Sequence, residues 1–177
     1  MRVTVIIAAV YYCLGIVEGA SRSHLRASES VRYEDTSASA DIHGKWRAEQ
    51  IRLEDSLKPP LIGSPITISF DEAAFSGSAG CNRIFGRSSI ETKLDDNDQI
   101  VHLVDISGLA STRMLCYPPP IMKQERNFMK SMGHKAFSYK ITSDDRLKFY
   151  EIGGDLDGKV VEGKLVAVFK RIREGNF

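Results

Sequence analysis

Residues 76–86 read Ser76-Gly77-Ser78-Ala79-Gly80-Cys81-Asn82-Arg83-Ile84-Phe85-Gly86, and the other predicted elements are placed relative to them. Three glycines, a run of small residues and a cysteine lie here between two predicted strands. Glycine lets another backbone approach closely, so this clustering predicts a tight crossing within a β-sheet. A second stretch, Gly108-Leu109-Ala110-Ser111-Thr112-Arg113-Met114-Leu115-Cys116, carries another cysteine. We expect the two stretches to lie against each other and to fix the fold.

The first 20 of the 177 residues are typical of a secretory signal peptide. Arg2 supplies the positive start, Val3 to Val17 is uncharged and apolar, and Gly19, Ala20 and Ser21 offer alternative cleavage sites. The apolar run of about 15 residues is short for a bilayer span, which favours cleavage over retention as an anchor. We therefore expect a secreted protein, extracellular or periplasmic, whose mature chain has no transmembrane segment.

The charge balance argues against a nucleic-acid partner. The formal net charge is +1, and it stays +1 after cleavage because residues 1–20 contain one basic residue, Arg2, and one acidic residue, Glu18. A large positive footprint for a phosphate backbone is absent. The remaining length suits one domain, which we place at residues 43–171. Residues 21–42 are poor in large apolar side chains and predict a disordered leader, and residues 172–177 predict a frayed tail.

Two cysteines, Cys81 and Cys116, remain in the chain after signal cleavage. In a secreted protein this even number indicates one disulfide. Closing such a loop would stabilise the fold by roughly 4 kcal/mol in the chain-entropy model. The alternative is a pair of buried free thiols, in which cysteine acts as a small apolar side chain.

Alternation of polar and apolar residues predicts about eight short strands. The predicted segments are Gly44 to Leu53, Ile66 to Phe70, Phe75 to Ala79, Arg83 to Leu94, Ile100 to Ile106, Phe137 to Ile141, Leu147 to Glu151 and Leu165 to Phe169. Trp46, the only tryptophan, is expected to anchor the core at the start of the first strand. Asp95 to Asp98 lacks the glycine and distant glutamate of a calcium loop, so we interpret it as a hairpin turn.

One helix is predicted, from Ile121 to Met132, preceded by prolines that fit its first turn and ended by Gly133. The face expected to be buried consists of Ile121, Met122, Glu125, Phe128, Met129 and Met132. We interpret its methionines as core residues rather than a binding groove. The fold class is therefore α+β and mainly antiparallel β, a curled sheet or barrel with the helix packed over one opening.

The two cysteine stretches, together with Gly44-Lys45-Trp46 and the Glu125-x-x-Phe128 pattern, resemble the META domain, the family of the bacterial heat-shock protein HslJ. The resemblance covers about residues 43–171 and implies a secreted or envelope-associated β-rich domain with one helix. Its structural motif positions here are Gly77, Gly80, Asn82, Arg83, Gly86, Thr112, Arg113 and Glu125. Family members carry an aromatic residue two positions after the glycine matching Gly86, whereas this chain has Ser88.

The family has no established reaction. Its bacterial members are linked to envelope stress, and its name-giving members to parasite virulence.

The leader also resembles the Arg-x-Leu-Arg leaders of secreted oomycete effectors. Arg22-Ser23-His24-Leu25-Arg26 is followed by an acidic pair, Glu34-Asp35. The first arginine lies one residue too far from the leucine, and the acidic part is shorter than in those leaders. This resemblance implies delivery into host cells and a host protein as partner.

Neither a catalytic constellation nor a metal or cofactor site is predicted. The four histidines, His24, His43, His102 and His134, have no ligand spacing. A thiol enzyme would need a free cysteine beside His102, and no Gly-x-Ser-x-Gly motif is present.

For the polar motif residues we expect Asn82 to hydrogen-bond backbone groups at a strand irregularity. Arg83 or Arg113 either pairs with Glu125 or is solvated. The function expected is a non-enzymatic module that binds a protein or envelope partner. It would serve as a host-directed effector or, alternatively, as a stress-protection protein of the producing cell.

Overall fold

The computed structural model describes residues 41–95, 97–154 and 160–173, which belong to one compact unit. The predicted signal peptide, most of the predicted leader and the end of the predicted tail lie outside these residues. In chain order the described residues form β1 Gly44–Leu53, β2 Ser56–Lys58, β3 Thr67–Asp71, β4 Ala74–Ser78, β5 Arg83–Leu94, β6 Ile100–Ser111, α1 Pro119–Met132, β7 Lys135–Ile141, β8 Arg146–Gly154 and β9 Val160–Arg171.

The described strands form a closed antiparallel barrel. Neighbouring strands pair in the order β1, β3, β4, β5, β6, β7, β8 and β9, and β9 pairs back with β1, for example Ala48 with Phe169. The short β2 adds to β1 as a hairpin, with Leu53 opposite Ser56. The prediction of a mainly antiparallel curled sheet with one packed helix is confirmed, although no strand was predicted at β2.

The barrel interior is filled by large apolar side chains because alternate residues of each strand point inward. Trp46 is fully buried, and its indole nitrogen donates to the Ile42 carbonyl oxygen at 2.8 Å. The aromatic core side chains that are at most 1% exposed are Trp46, Phe70, Phe75, Phe128, Phe137, Phe149 and Phe169. Several meet edge to face, as Phe70 and Phe75 do at 5.3 Å between ring centroids.

Two glycines of the 76–86 stretch sit where strands leave no room for a side chain. A Cβ atom on Gly77 would collide with the Thr67 carbonyl oxygen, and one on Gly86 would lie 2.9 Å from the Ser107 carbonyl oxygen. Such separations are below those that a real Cβ tolerates. The predicted tight crossing is therefore present, between β3 and β4 and between β5 and β6.

The helix begins at Pro119, two residues earlier than predicted, and ends at Met132. Its buried residues are Gln124, Glu125, Phe128 and Met132, while Ile121, Met122 and Met129 are half-buried. Phe128 and Met132 belong to the same core cluster as the strands. The methionine at the end of the helix thus packs as core, whereas Gln124 was not predicted on the buried face.

Both predicted borders of the domain require correction. Ile42, assigned to the disordered leader, is 1% exposed because it packs into the core beside Trp46. Ile172, assigned to the frayed tail, donates its backbone N–H to the Lys45 carbonyl oxygen at 2.8 Å. The packed domain therefore extends beyond residues 43–171 at both ends.

Candidate functional site

The two cysteine stretches meet at one end of the barrel, where β5 begins and β6 finishes. Ile84 pairs with Ser111, and the Thr112 backbone N–H donates to the Arg83 carbonyl oxygen at 3.0 Å. The structure joins Cys81 to Cys116 in a disulfide, with their Cα atoms 6.1 Å apart. The bridge therefore continues the β5–β6 pairing beyond the last strand residue.

Asn82, which is 1% exposed, satisfies backbone groups of the segment that leaves β6. Its side-chain oxygen accepts from the Met114 backbone N–H at 2.7 Å and from the Thr112 hydroxyl at 2.8 Å. Its side-chain nitrogen donates to the Met114 carbonyl oxygen at 3.2 Å. The side chain therefore substitutes for a strand partner where the regular ladder has ended.

Glu125 connects the helix to the same asparagine. Its buried carboxylate accepts from the Asn82 backbone N–H at 2.9 Å and from the side-chain nitrogen at 3.0 and 3.1 Å. Hydrogen bonds to an ionised group are roughly twice as strong as neutral ones. Asn82 is thus shared between the helix and the segment after β6.

The alternative of an arginine partner for Glu125 is wrong. Arg83 lies on the outward face of β5, next to the inward Ile84, and Arg113 is exposed. Neither forms an ion pair with another described residue, and the carboxylate is already occupied by Asn82. Both arginines are solvated, which is the other alternative that the sequence left open.

Gln124 anchors the helix to a second segment. Its side-chain oxygen accepts from the Leu61 backbone N–H at 2.6 Å, and its nitrogen donates to the carbonyl oxygens of Ser64 at 3.0 Å and Ala79 at 3.2 Å. A Cβ atom on Gly80, whose φ is +111°, would lie 2.6 Å from this nitrogen. The sequence did carry a signal for the burial of Gln124, because it precedes Phe128 by four residues and so lies on the same face of the helix.

Large apolar side chains are exposed to solvent at the end of the barrel where β5 begins and β6 finishes. Residues 113–117, which we call the bracketed loop, are fixed by Asn82 at Met114 and by the disulfide at Cys116. Leu115 is 94% exposed, Tyr117 88% and Met114 55%. Both attachments lie inside the loop and restrain the backbone that carries these side chains.

A different arrangement occupies the opposite end, where β1 begins and β9 finishes. The Arg171 guanidinium lies 4.1 Å from the Trp46 ring centre and donates to the carbonyl oxygens of His43 and Asp41, each at 2.8 Å. Hydrogen bonds from the His43 backbone and ring lower the pKa of the Asp41 carboxyl. These contacts tie the start of the domain to its end.

The histidines of the described residues are not gathered into a reactive site. His102 contacts the Tyr139 ring, with centroids 5.5 Å apart, and its Nδ1 lies 3.3 Å from the Thr92 hydroxyl. Burial, with a smaller contribution from the charge of Asp41, raises the pKa of Tyr139 to about 12. Within the described ranges, no group of three or more His, Cys, Asp or Glu side chains is placed to hold a metal ion.

The described part of the chain contains no helix with the length and hydrophobicity needed to traverse a bilayer.

A family model described as the META domain matches residues 40–159. Among solved structures, the chain is similar to a protein from Burkholderia xenovorans whose structure was determined by NMR. The sequence identity is 19% and the TM-score 0.47, over 73% of this chain and 81% of the other. None of the curated proteins compared with the chain matches it.

Proposed function

This chain belongs to the META domain family, and from that premise we propose that it is a secreted, non-enzymatic module that acts by binding another protein. The observation that carries this proposal is the exposure of Met114, Leu115 and Tyr117 in the bracketed loop. Clustered apolar side chains that remain in solvent mark interaction sites, because their burial against a partner is favourable.

The fixation of the loop supports binding further. A surface that is already ordered loses less conformational entropy on association than a flexible one. The disulfide, the Asn82 hydrogen bonds and the Asn82–Glu125 contact all restrict the segment before a partner arrives. Tyrosine at its edge adds a large contact area with few rotatable bonds.

The cysteine chemistry favours binding over thiol catalysis. A nucleophilic thiol must be free and must lie beside a base. In the structure Cys81 is bonded to Cys116, while His102 contacts Thr92 and Tyr139 on other strands. If a screen detects an enzymatic activity, its retention by a folded Cys81→Ser, Cys116→Ser double variant would argue against a thiol mechanism.

Photo-crosslinking from the bracketed loop tests the binding proposal. A benzophenone side chain replaces Leu115 in one variant of the secreted chain and the exposed Lys164 in a matched control. We expect a discrete adduct, identified by mass spectrometry, from position 115 and not from position 164. No adduct at 115, or the same adducts at both positions, would contradict the proposal.

The cellular role has two candidates, a host-directed effector and a stress-protection protein of the producing cell. The Arg22-to-Arg26 pattern of the leader favours the effector, and the bacterial members of the family favour the other role. A tagged full-length chain distinguishes them. Its recovery inside neighbouring host cells supports the effector role, whereas its retention at the surface of the producer supports stress protection.

A further inference from the structure

A groove crosses the outer face of β1, β3, β4 and β5, and none of the residues that line it belongs to the bracketed loop. Its volume is about 630 Å³. Short residues, including Thr67, Ser76 and Ser78, form its floor, and longer side chains rise at its sides. The Gly77 backbone lies in the same floor.

Strand register explains why the groove exists. Lys45 pairs with Ser69, Ser69 with Ser76, and Ser76 with Phe85, so these four side chains form one row across the sheet. Their neighbours Trp46, Ile68 and Ile84 are buried in the barrel, so the row faces outward. Two serines between a lysine and a phenylalanine leave a depression between taller walls.

The walls combine positive charge with an apolar surface. Lys45 and Arg83 both line the groove, and neither forms an ion pair with another described residue. Among the described residues that line it, none is acidic. Phe85, which is 51% exposed, and Ile172 supply the apolar surface. In a chain of net charge +1, this is a local excess of positive charge.

The dimensions suit an extended peptide. Lys45 on β1 lies three strand intervals from β5, or about 14 Å, and Arg83 lies two residues, or about 7 Å, along β5 from the position in line with Lys45. An extended segment of about five residues spans the resulting diagonal of about 16 Å. Its side chains would alternate between the floor and the walls.

We propose that this groove binds an extended acidic segment of a partner protein, with carboxylates placed at Lys45 and Arg83 and an apolar side chain against Phe85. Complementary charge selects the partner and orients it. Phe85 supplies an apolar surface that the bound segment would bury, as the centre of such interfaces requires. The proposal goes beyond binding through the bracketed loop, because it assigns a second surface with its own partner chemistry.

The test uses the full secreted chain and the peptide acetyl-Glu-Leu-Ser-Leu-Glu-amide, with the corresponding Gln-Leu-Ser-Leu-Gln peptide as control. Amide chemical shifts are followed by NMR. We expect the glutamate peptide to shift Ser69, Ser76, Ser78 and Phe85, with affinity more than tenfold above that of the glutamine peptide. Lys45→Glu and Arg83→Glu should each weaken the binding more than tenfold, whereas Arg113→Glu and Leu115→Asp should leave it within twofold.

Equal shifts with both peptides, or shifts outside the groove, would overturn the proposal. So would tighter binding of a sulfated hexasaccharide than of the acidic peptide, because the groove would then be a polysaccharide site. Dispersed amide spectra of each variant establish that it is folded. Leu115→Asp changes an exposed side chain of the bracketed loop that does not line the groove, so failure here and failure of the proposed function remain distinguishable.

Discussion

The Glu125 carboxylate accepts hydrogen bonds from both the backbone N–H and the side-chain amide of Asn82. Glu125 lies on α1, and Asn82 follows the bridged Cys81. The same asparagine also accepts from the Met114 backbone in the bracketed loop. One buried polar side chain therefore couples the helix, the start of β5 and the exposed apolar surface.

Replacing Asn82 by alanine should lower the free energy of unfolding by about 3–5 kcal/mol. The change removes the side-chain donor to a buried carboxylate, which keeps only the backbone N–H of residue 82, and it leaves Met114 without its backbone-like partner. Glu125→Ala should also be costly, and a double-mutant cycle should show coupling of about 0.5–3 kcal/mol. Urea denaturation measures each value. The exposed control Arg83→Ala should change stability by less than about 0.5 kcal/mol, and a loss equal to that of Asn82→Ala would refute the coupling.

Replacing Cys81 and Cys116 together by serine should destabilise the domain by roughly 4 kcal/mol, since the unfolded chain gains the freedom of an open loop. Thermal unfolding of the double variant, compared with the oxidised parent, checks this. The bracketed loop should also lose order, visible as sharper and less dispersed NMR signals from Leu115 and Tyr117. Unchanged stability together with unchanged loop signals would mean that the bridge does not restrain this region.

Replacing Gly77 by alanine should destabilise the barrel strongly, by about 3 kcal/mol or more, because the new Cβ would overlap the Thr67 carbonyl oxygen. Gly108→Ala is the matched control. Gly108 has a φ of +60° but open space around its Cβ position, so we expect a loss of only about 1 kcal/mol. A Gly77 variant as stable as the Gly108 variant would contradict the close crossing of β3 and β4.

Replacing Arg171 by alanine should loosen the start of the domain. Its guanidinium covers the Trp46 ring and holds two carbonyl oxygens, so lysine should not restore the full effect. Trp46 is the only tryptophan, which allows its fluorescence to report the change directly. We expect greater quenching by iodide in Arg171→Ala than in Arg113→Ala, and equal quenching in both would argue against the contact.

Stability should fall as the pH rises above about 10, partly because of Tyr139. The raised pKa means that the folded protein favours the neutral phenol, whose contribution is complete below the ordinary pKa of about 10. That contribution is lost as the pH rises from about 10 through about 12. Spectrophotometric titration of tyrosinate, with Tyr139→Phe as reference, checks it. A Tyr139 titration centred at the ordinary value would contradict the inferred burial.

Much of the barrel could be predicted because strand alternation is a local signal. Ile66 to Phe70 and Arg83 to Leu94 carry that pattern within a few residues. The three-residue β2 is too short to show alternation, so no strand was predicted there. Ile42 was assigned to the disordered leader because a single apolar residue among polar ones gives no periodic signal.

The partners of polar side chains could be predicted only in part. Asn82 was expected to serve backbone groups, but charge alone suggested an arginine as one alternative for Glu125. The pair forms because the helix returns across the start of β5, a tertiary relation that no local pattern specifies. The groove was missed for a similar reason, since Lys45 and Arg83 line it from two strands that lie far apart in sequence.

Intact-mass analysis of the natively secreted protein tests most directly the claim that a sulfur bridge holds the bracketed loop as a preformed contact surface. The protein is alkylated with iodoacetamide before and after reduction, and peptides containing Cys81 and Cys116 are mapped. We predict no alkylation of either cysteine before reduction and complete alkylation of both afterwards. Alkylation of both cysteines in the unreduced, folded protein would contradict the account.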